Sequence, residues 1–536
     1  LIIYNIDYKK PLLYKGAKNM INYDIDKLTK DILYNGLFSE YLPSKFNLLM
    51  DNFDIFQIPI STKNDFIEPY KYTMSRFSEN DKRRIIYLPE ISSYINSMKY
   101  IKENNFINEF IEISINSNKS FSKLLQDDGT LSTHDQIYGD IDDHTTSSSK
   151  STFISNIIKK LNIAKGAKGV LYLDISNFFG NIYTHIFPAI MLGYEETMNQ
   201  FKINEQEVIE ETSNRIIYKK YRDLDKEIRS MNGNRTNGIL TGPIISKLIS
   251  EVLLVKIDEE LTRENINFSR FVDDYEVYIY DDKQIEKTTN IISDILNKYY
   301  LSLNHEKTKY IPFPYYQFEN LEKIIESYNN FDLESYELME LFNTFFQLEA
   351  NGTKGAIRYL IKSINHKSKS HNTSQRNEIF ITYLLNVLVN DTRSLTKVCE
   401  ILIQEKDSPY IDDSFKCNLL NLLVSSIDDK KDLEVIWLLY LSKNLGINHL
   451  DNSIVKKIIT SKNELAIIIL MYEFEESISS DNEQIYIETA SSWILLYELF
   501  LTNKISKGKL KNRLHLNNNL NFYNQLKRKK FSFYNK

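Results

Sequence analysis

An α+β front half followed by an all-α back half is the fold class this sequence predicts, on three observations. Ahead of about residue 315, apolar strand-like runs such as VLYLD (170–174) and RFVDDYEVYIY (270–280) are interspersed with charged helical patterns. Beyond it, SYELMELFNTFFQLEA, NEIFITYLLNVLV, LEVIWLLYLSKNLG and ASSWILLYELFL carry helical periodicity and are separated by short polar turns. Only 15 Gly and 10 Pro occur in 536 residues, too few for a loop-rich all-β architecture.

Taken in order, residues 1–80 mix aromatic and charged side chains without a clean period and read as an N-terminal extension. Asp81 to Tyr100 reads as a basic turn, a short β run, a Pro break and a helix. Residues 126–150 are polar and loop-like, and Gly169 to Ile175 is a strand that leads into an aromatic turn. Charged helical patterns fill 186–230, and Thr241 to Leu261 has the spacing of a partly buried helix. A hairpin follows, with strands Ser269–Val272 and Glu276–Tyr280 flanking an Asp-Asp turn. The later helical segments recur every 30 to 45 residues or so, the range of helical-hairpin repeats, so a HEAT-like array is expected, with a compact bundle as the alternative.

Composition narrows the function classes. With 42% hydrophobic and 26% charged residues, the chain can bury a large core and is not disordered as a whole. A prior of ~150 residues per domain suggests three or four domains. Cys399 and Cys417 cannot form a disulfide framework or a Cys-type zinc site, which points to a reducing cytosol. The longest apolar run, Leu465 to Tyr472, is far short of the ~20 residues that span a bilayer, so no membrane partner is expected. The sequence starts on Leu1 without a signal-peptide layout and without an initiator Met, which leaves open where the natural chain begins.

The net charge of -6 disfavours phosphate binding only on average. Residues 502–536 hold ten basic side chains (Lys504, Lys507, Lys509, Lys511, Arg513, Lys527, Arg528, Lys529, Lys530, Lys536) and no acid. Interleaved Phe522, Tyr523, Phe531, Phe533 and Tyr534 suit this tail to single-stranded nucleic acid, by charge and base stacking.

Three acids carry the chemistry. Asp174 ends an apolar strand, and Asp273 and Asp274 form an adjacent pair inside an apolar, aromatic run. Such a pair is costly unless something positive compensates it. Mg²⁺ does so through carboxylate oxygens while keeping positions for phosphate and water. Two such ions ~3.5–4 Å apart serve phosphoryl transfer, stabilising the attacking and leaving oxygens. Strands lying side by side would unite these acids, whereas an isolated Asp-Asp is more often a plain turn.

Other elements appear in a telling order. LYLDISNFFGNI, NGILTGPIISKLISE, RFVDDYEVY and LSLNHEKTKY resemble motifs A to D of reverse transcriptases, and KRRIIYLP resembles their basic fingers motif. The resemblance covers about residues 80 to 315 and implies an extension or first part of the fingers (1–80), fingers (81–165) and palm (166–315), followed by a HEAT-like helical domain (316–536) with the basic tail 502–536. It implies two Mg²⁺ ions, with Mn²⁺ as a substitute, held by Asp174, Ile175, Asp273 and Asp274. Asp174 would bridge them, and Asp274 would position the second ion or the primer end. Phe179 falls at the steric gate that selects dNTPs, with the alternative that Phe178 and Phe179 are both core. Gly238, Thr241 and Gly242 form a permissive turn beside the nascent pair. Thr241 stands where most reverse transcriptases have Gln, a departure that bears on templated synthesis. Lys307 would act as general acid toward pyrophosphate, and Arg83 and Arg84 would grip the triphosphate. His305 reads as a surface residue.

Residues 316–536 contain no spaced carboxylate set and no HNH-like or Cys/His cluster, as a nuclease module would. With DISNFFGNIYTH, GILTG and NGTKGAIRYL, the chain is similar to the bacterial abortive-infection reverse transcriptases, AbiK and AbiA being the nearest types. That similarity implies anti-phage defence in the bacterial cytoplasm, by a homo-oligomer that makes single-stranded DNA without a template. The product would be primed on a protein hydroxyl and stay covalently attached. Two alternatives are an RNA-templated defence enzyme with a bound non-coding RNA, and a catalytically silent scaffold or sensor.

Overall fold

The computed structural model describes residues 23–38, 41–75, 83–126, 129–132, 148–203, 212–316, 320–328, 334–364 and 374–535. Two sheets organise its front half. Strands β1 (Tyr70–Met74) and β2 (Arg84–Leu88) form an antiparallel pair with Tyr72 opposite Ile86. Strands β3 (Gly169–Asp174), β4 (Phe268–Phe271), β5 (Asp274–Ile279) and β6 (Lys309–Pro312) form an antiparallel sheet in the order β4-β5-β3-β6. Strand β3 is buried almost throughout, an inner strand between β5 and β6 with Leu171 and Leu173 in the main core and Val170 in a smaller one, which is why VLYLD reads as a continuous apolar run rather than an alternating one.

The predicted hairpin is present with its turn one residue earlier than expected. Strand β5 begins at Asp274, so the turn is Val272–Asp273 and not Asp273–Asp274. Val272 takes φ +54°, a sign of φ that two-residue hairpins need and that a β-branched residue rarely adopts. The consequence is a register that sets Asp274 directly opposite Asp174 on β3. The motif B helix runs over Ile244–Arg263, starting three residues after the expected Thr241 because Pro243 sits at its N-cap. The polar stretch 126–150 lies largely outside the described residues.

The back half is helical, as expected. Helices Asp413–Asp428, Asn452–Ser461, Ser480–Thr489 and Lys507–Arg513 form one row, and Asp432–Asn444, Glu464–Glu473, Trp493–Leu501 and Leu520–Arg528 form a second. Each helix of the second row packs on the next one in that row, the two-row stacking expected of a HEAT-like array. The first three helices of this second row are apolar nearly all round, and Ile467, Ile468, Ile469 and Leu470 are buried in succession. That composition needs cover on every side, and the front half supplies it. Thr73 donates to Asp432 from its backbone N–H and its hydroxyl, both at 2.9 Å. Trp493 Nε1 donates to the Leu88 carbonyl at 3.2 Å, and Trp437 Nε1 to the Tyr41 carbonyl at 2.6 Å. One apolar core therefore runs from Leu28 to Tyr534.

The stacking role expected of the tail aromatics is overturned. Phe522, Tyr523, Phe531, Phe533 and Tyr534 are at most 1% exposed, so none offers a ring face to a base. Phe533 packs edge-on against Trp493 and Tyr497, and Phe46 bridges to Tyr534 as a strand-like pair. Rings of this size gain more from burial than from solvent-side stacking. Exposed cations remain at Lys507, Lys511, Arg528, Lys529 and Lys530.

The same closure buries an acid. Glu498 accepts from Tyr472 Oη at 2.5 Å and from the Phe533 N–H at 2.8 Å, yet burial pushes its carboxyl up to about 7. The folded state thus holds a proton that the unfolded chain releases near its ordinary 4.5. This stabilisation is complete below that value and is lost as pH rises through about 7, a change of about 3 kcal/mol. Denaturant melts at pH 5 and pH 7.5 should show the decline, and Glu498→Gln should flatten it.

Candidate active site

Strands β3 and β5 deliver the acids to one edge. Asp174 closes β3 and Asp274 opens β5 across from it, while Asp273 sits in the turn, with its carbonyl accepting from Ile175 N–H at 3.3 Å. The motif D segment crosses the end of β3 through a bridge between Ile175 and Leu303 and a bond from Ser176 N–H to the Ser302 carbonyl at 2.8 Å. That crossing places two side chains on Asp174. Lys307 Nζ lies 2.8 Å from Oδ1, and Asn304 Nδ2 donates to Oδ2 at 3.1 Å. Asn304 also gives its backbone N–H to the Asp174 carbonyl at 2.8 Å. Lys307 is the side chain the motif predicts here, whereas nothing in LSLNHEKTKY beyond adjacency marks Asn304.

The charges show what the site lacks. Desolvation raises the Asp273 carboxyl, with Asp174 adding to the rise and its own backbone N–H, Lys307 and Arg84 opposing it. Asp274 is pushed up to about 6, first by desolvation, then by Asp273 and Asp174. Two raised carboxyls, Asp273 and Asp274, beside a third acid, Asp174, are short of positive charge, and a divalent cation suits them. Among the described residues no three His, Cys, Asp or Glu side chains enclose a metal ion. The acids form an open edge, which fits Mg²⁺, an ion held by one or two carboxylates together with phosphates and water.

Motifs A and B build the adjoining surface. Phe178 is core at 3% exposure, while Phe179 is half-buried, its ring edge-on to Phe178 at 5.4 Å. Gly238, at φ +84°, lies so close to Gly180 that a Cβ would stand 2.9 Å from its carbonyl oxygen. Gly242, at φ +132°, leaves only 2.7 Å between such a Cβ and the Tyr87 carbonyl. Thr241 accepts from the Tyr87 N–H at 2.8 Å, so motif B is stitched to β2. A cavity of about 370 Å³ lined by Gly180, Asn181, Tyr183, Asn237 and Tyr300 opens beside this junction.

The two arginines part company. Successive side chains on an extended chain point to opposite sides. Arg83 pairs through both terminal nitrogens with Glu434 of the helical domain, Nη1 at 3.0 Å, and so is turned from the acids. Arg84 is exposed and its charge bears on Asp273. His305 is exposed, as expected.

Behind the acids lies a buried ion network the sequence did not reveal. Arg270 is 0% exposed and binds Asp258 through Nε at 2.8 Å and Glu251 through Nη1 at 2.9 Å, both acids on the motif B helix. Its Nη1 also donates to the Val272 carbonyl at 2.9 Å. The Val272 N–H donates to Ser122 Oγ at 2.8 Å, and that hydroxyl donates to Glu251 at 3.2 Å.

Residues 116–360 match the family described as reverse transcriptase (RNA-dependent DNA polymerase). This part of the chain is a reverse transcriptase domain, the domain of a nucleotidyltransferase. Similar solved structures include the telomerase of Candida albicans, in complex with the TWJ fragment of telomeric RNA. It is 12% identical over 79% of this chain and 66% of that one, with a TM-score of 0.28. The apo telomerase of Candida tropicalis is 12% identical over 78% of this chain and 70% of that one, with a TM-score of 0.31. The chain thus spans about two thirds of the length of these structures. No curated protein matches the sequence. Among the described residues no helix is long and apolar enough to cross a membrane.

Proposed function

We propose that this chain, with its reverse transcriptase domain, is a DNA polymerase that joins dNTPs at the edge where Asp174 faces Asp274. That cross-strand pairing, with Asp273 beside it, is the observation that carries the reading. Asp174, Asp273 and Asp274, with Ile175 adjacent, would hold Mg²⁺ or Mn²⁺. When bound, the ions supply positive charge to the attacking and leaving oxygens of phosphoryl transfer. Lys307 holds a proton at Nζ beside Asp174 and would pass it to the departing pyrophosphate. Arg84, the exposed member of its pair, would meet the triphosphate, while Arg83 braces the fingers. Phe179 would lie under the sugar and exclude a 2′-OH, and the Gly238–Gly242 turn lets backbone approach the base pair.

Thr241 in the place of the usual Gln and a helical array in place of a nuclease module support the abortive-infection type. On that reading DNA grows without a template from a protein hydroxyl, on a homo-oligomer that acts in phage defence. An RNA-templated enzyme with a non-coding RNA is the second reading, favoured by the description of the matched family.

One assay separates them. The purified chain is incubated with Mg²⁺ and labelled dNTPs or rNTPs, with and without a primed RNA. Template-free incorporation into a protease-sensitive product supports the first reading, and strict dependence on RNA supports the second. Phe179→Ala should admit rNTPs at least about tenfold better than wild type, a loss of discrimination typical of one removed contact. No incorporation under any condition would sink both readings and favour a silent scaffold.

A further inference from the structure

The catalytic turn is aimed from behind. Val272 stands at φ +54° between two strands, a conformation that costs a β-branched residue on the order of 1–3 kcal/mol unless its surroundings impose it. Its surroundings do. Both backbone polar groups of Val272 are held by side chains, the N–H by Ser122 Oγ at 2.8 Å and the carbonyl by Arg270 Nη1 at 2.9 Å. Neither holder is free to drift. Arg270 is fixed by Asp258 and Glu251, and Ser122 by its bond to the same Glu251. The backbone of 119–121 docks on β4 besides, with Arg270 N–H donating to Lys119 at 2.9 Å and Phe121 N–H to Arg270 at 2.7 Å.

We infer that Ser122 is a positioning residue for Asp273, acting with Arg270 and Glu251 as a clamp that holds Val272 in its left-handed conformation and so sets the turn carboxylate against Asp174. Glu251 makes the clamp a link between motifs, since it lies on the motif B helix and touches both holders of the motif C turn. The inference rests on the polymerase reading for its effect on rate, while the clamp itself is a statement about the backbone at Val272.

The test is Ser122→Ala, a substitution small enough to fold. Incorporation should fall about tenfold in kcat with KM for dNTP unchanged, because one hydrogen bond to a half-buried N–H is lost while the nucleotide surface is untouched. A merely structural serine would lower the melting temperature and leave kcat alone, and that result overturns the inference. In a Val272→Gly background, where positive φ carries no penalty, the same substitution should cost little. An equal loss in both backgrounds would also overturn it. Amide hydrogen exchange supplies a readout free of activity: the Val272 N–H should be protected in wild type and fast in Ser122→Ala. Unchanged protection ends the clamp, whereas an inactive wild type with the protection change present ends the polymerase reading alone.

Discussion

Asp273→Asn should abolish nucleotide incorporation, by about a thousandfold or more, while making the protein more resistant to heat. Both effects come from one cause. Desolvation and the neighbouring acids raise the carboxyls of Asp273 and Asp274, so ionising these two strains the fold. An amide of the same shape removes one negative charge and relieves Asp274. It also removes an anionic ligand where phosphoryl transfer needs several kcal/mol of charge stabilisation, which converts to a loss of that size. Asp174→Asn should be equally inactive, yet it should not gain stability. That residue alone bears the Lys307 and Asn304 contacts at 2.8 and 3.1 Å. Incorporation kinetics beside thermal melts of the two variants check the pair of signs. Wild-type incorporation by Asp273→Asn would sink the assignment of the acids.

Removal of residues 531–536 should unfold the protein, although the segment closes a tail that reads as basic and aromatic. Phe531, Phe533 and Tyr534 are each 0% exposed. A single buried Phe→Ala change costs about 3–5 kcal/mol, and three such rings together approach the whole stability of about 5–15 kcal/mol expected of a domain. Further losses follow. Glu498 would keep its burial without the Phe533 N–H and the Ser532 hydroxyl, and residues 45–47 would lose their bonds to Phe533 and Asn535. Size-exclusion chromatography and circular dichroism of the shortened chain decide the matter. A monodisperse, cooperatively melting product would overturn the expectation, and Phe533→Ala, milder by design, should melt several degrees below wild type.

The legible parts of this molecule were those where one stretch of chain states its own environment. VLYLD reads as a buried strand because every residue is apolar until the acid, and the structure ends β3 at that acid. Motif B reads as a helix by periodicity and starts late only because Pro243 defers it. What stayed hidden depends on partners far away in sequence. Nothing in RFVDD says that Val272 rather than Asp274 occupies the turn, because the register is fixed by β3 and by Ser122, 150 residues earlier. Nothing in KRRIIYLP sorts Arg83 from Arg84, since the sorting comes from Glu434. The tail misled for the opposite reason. Its lysines and arginines dominate the composition, while its rings, at intervals between them, belong to the core.

The joining of Asn47 to Phe533 and Asn535 has a consequence for how the enzyme comes into being. The Asn535–Asn47 bond spans 488 residues, so a ribosome that has built the segment around Asn47 must work for roughly 25–100 s before it supplies what that segment leans on. Through that interval the three acids and the helix Ile244–Arg263 can already be in place, but the strand bearing Arg84 lacks the last helices beneath it. Contacts closed over such a separation come late in folding. A nascent or clipped chain therefore carries its carboxylates without a braced β1–β2 hairpin, and that hairpin gains its support only once the last helices have docked.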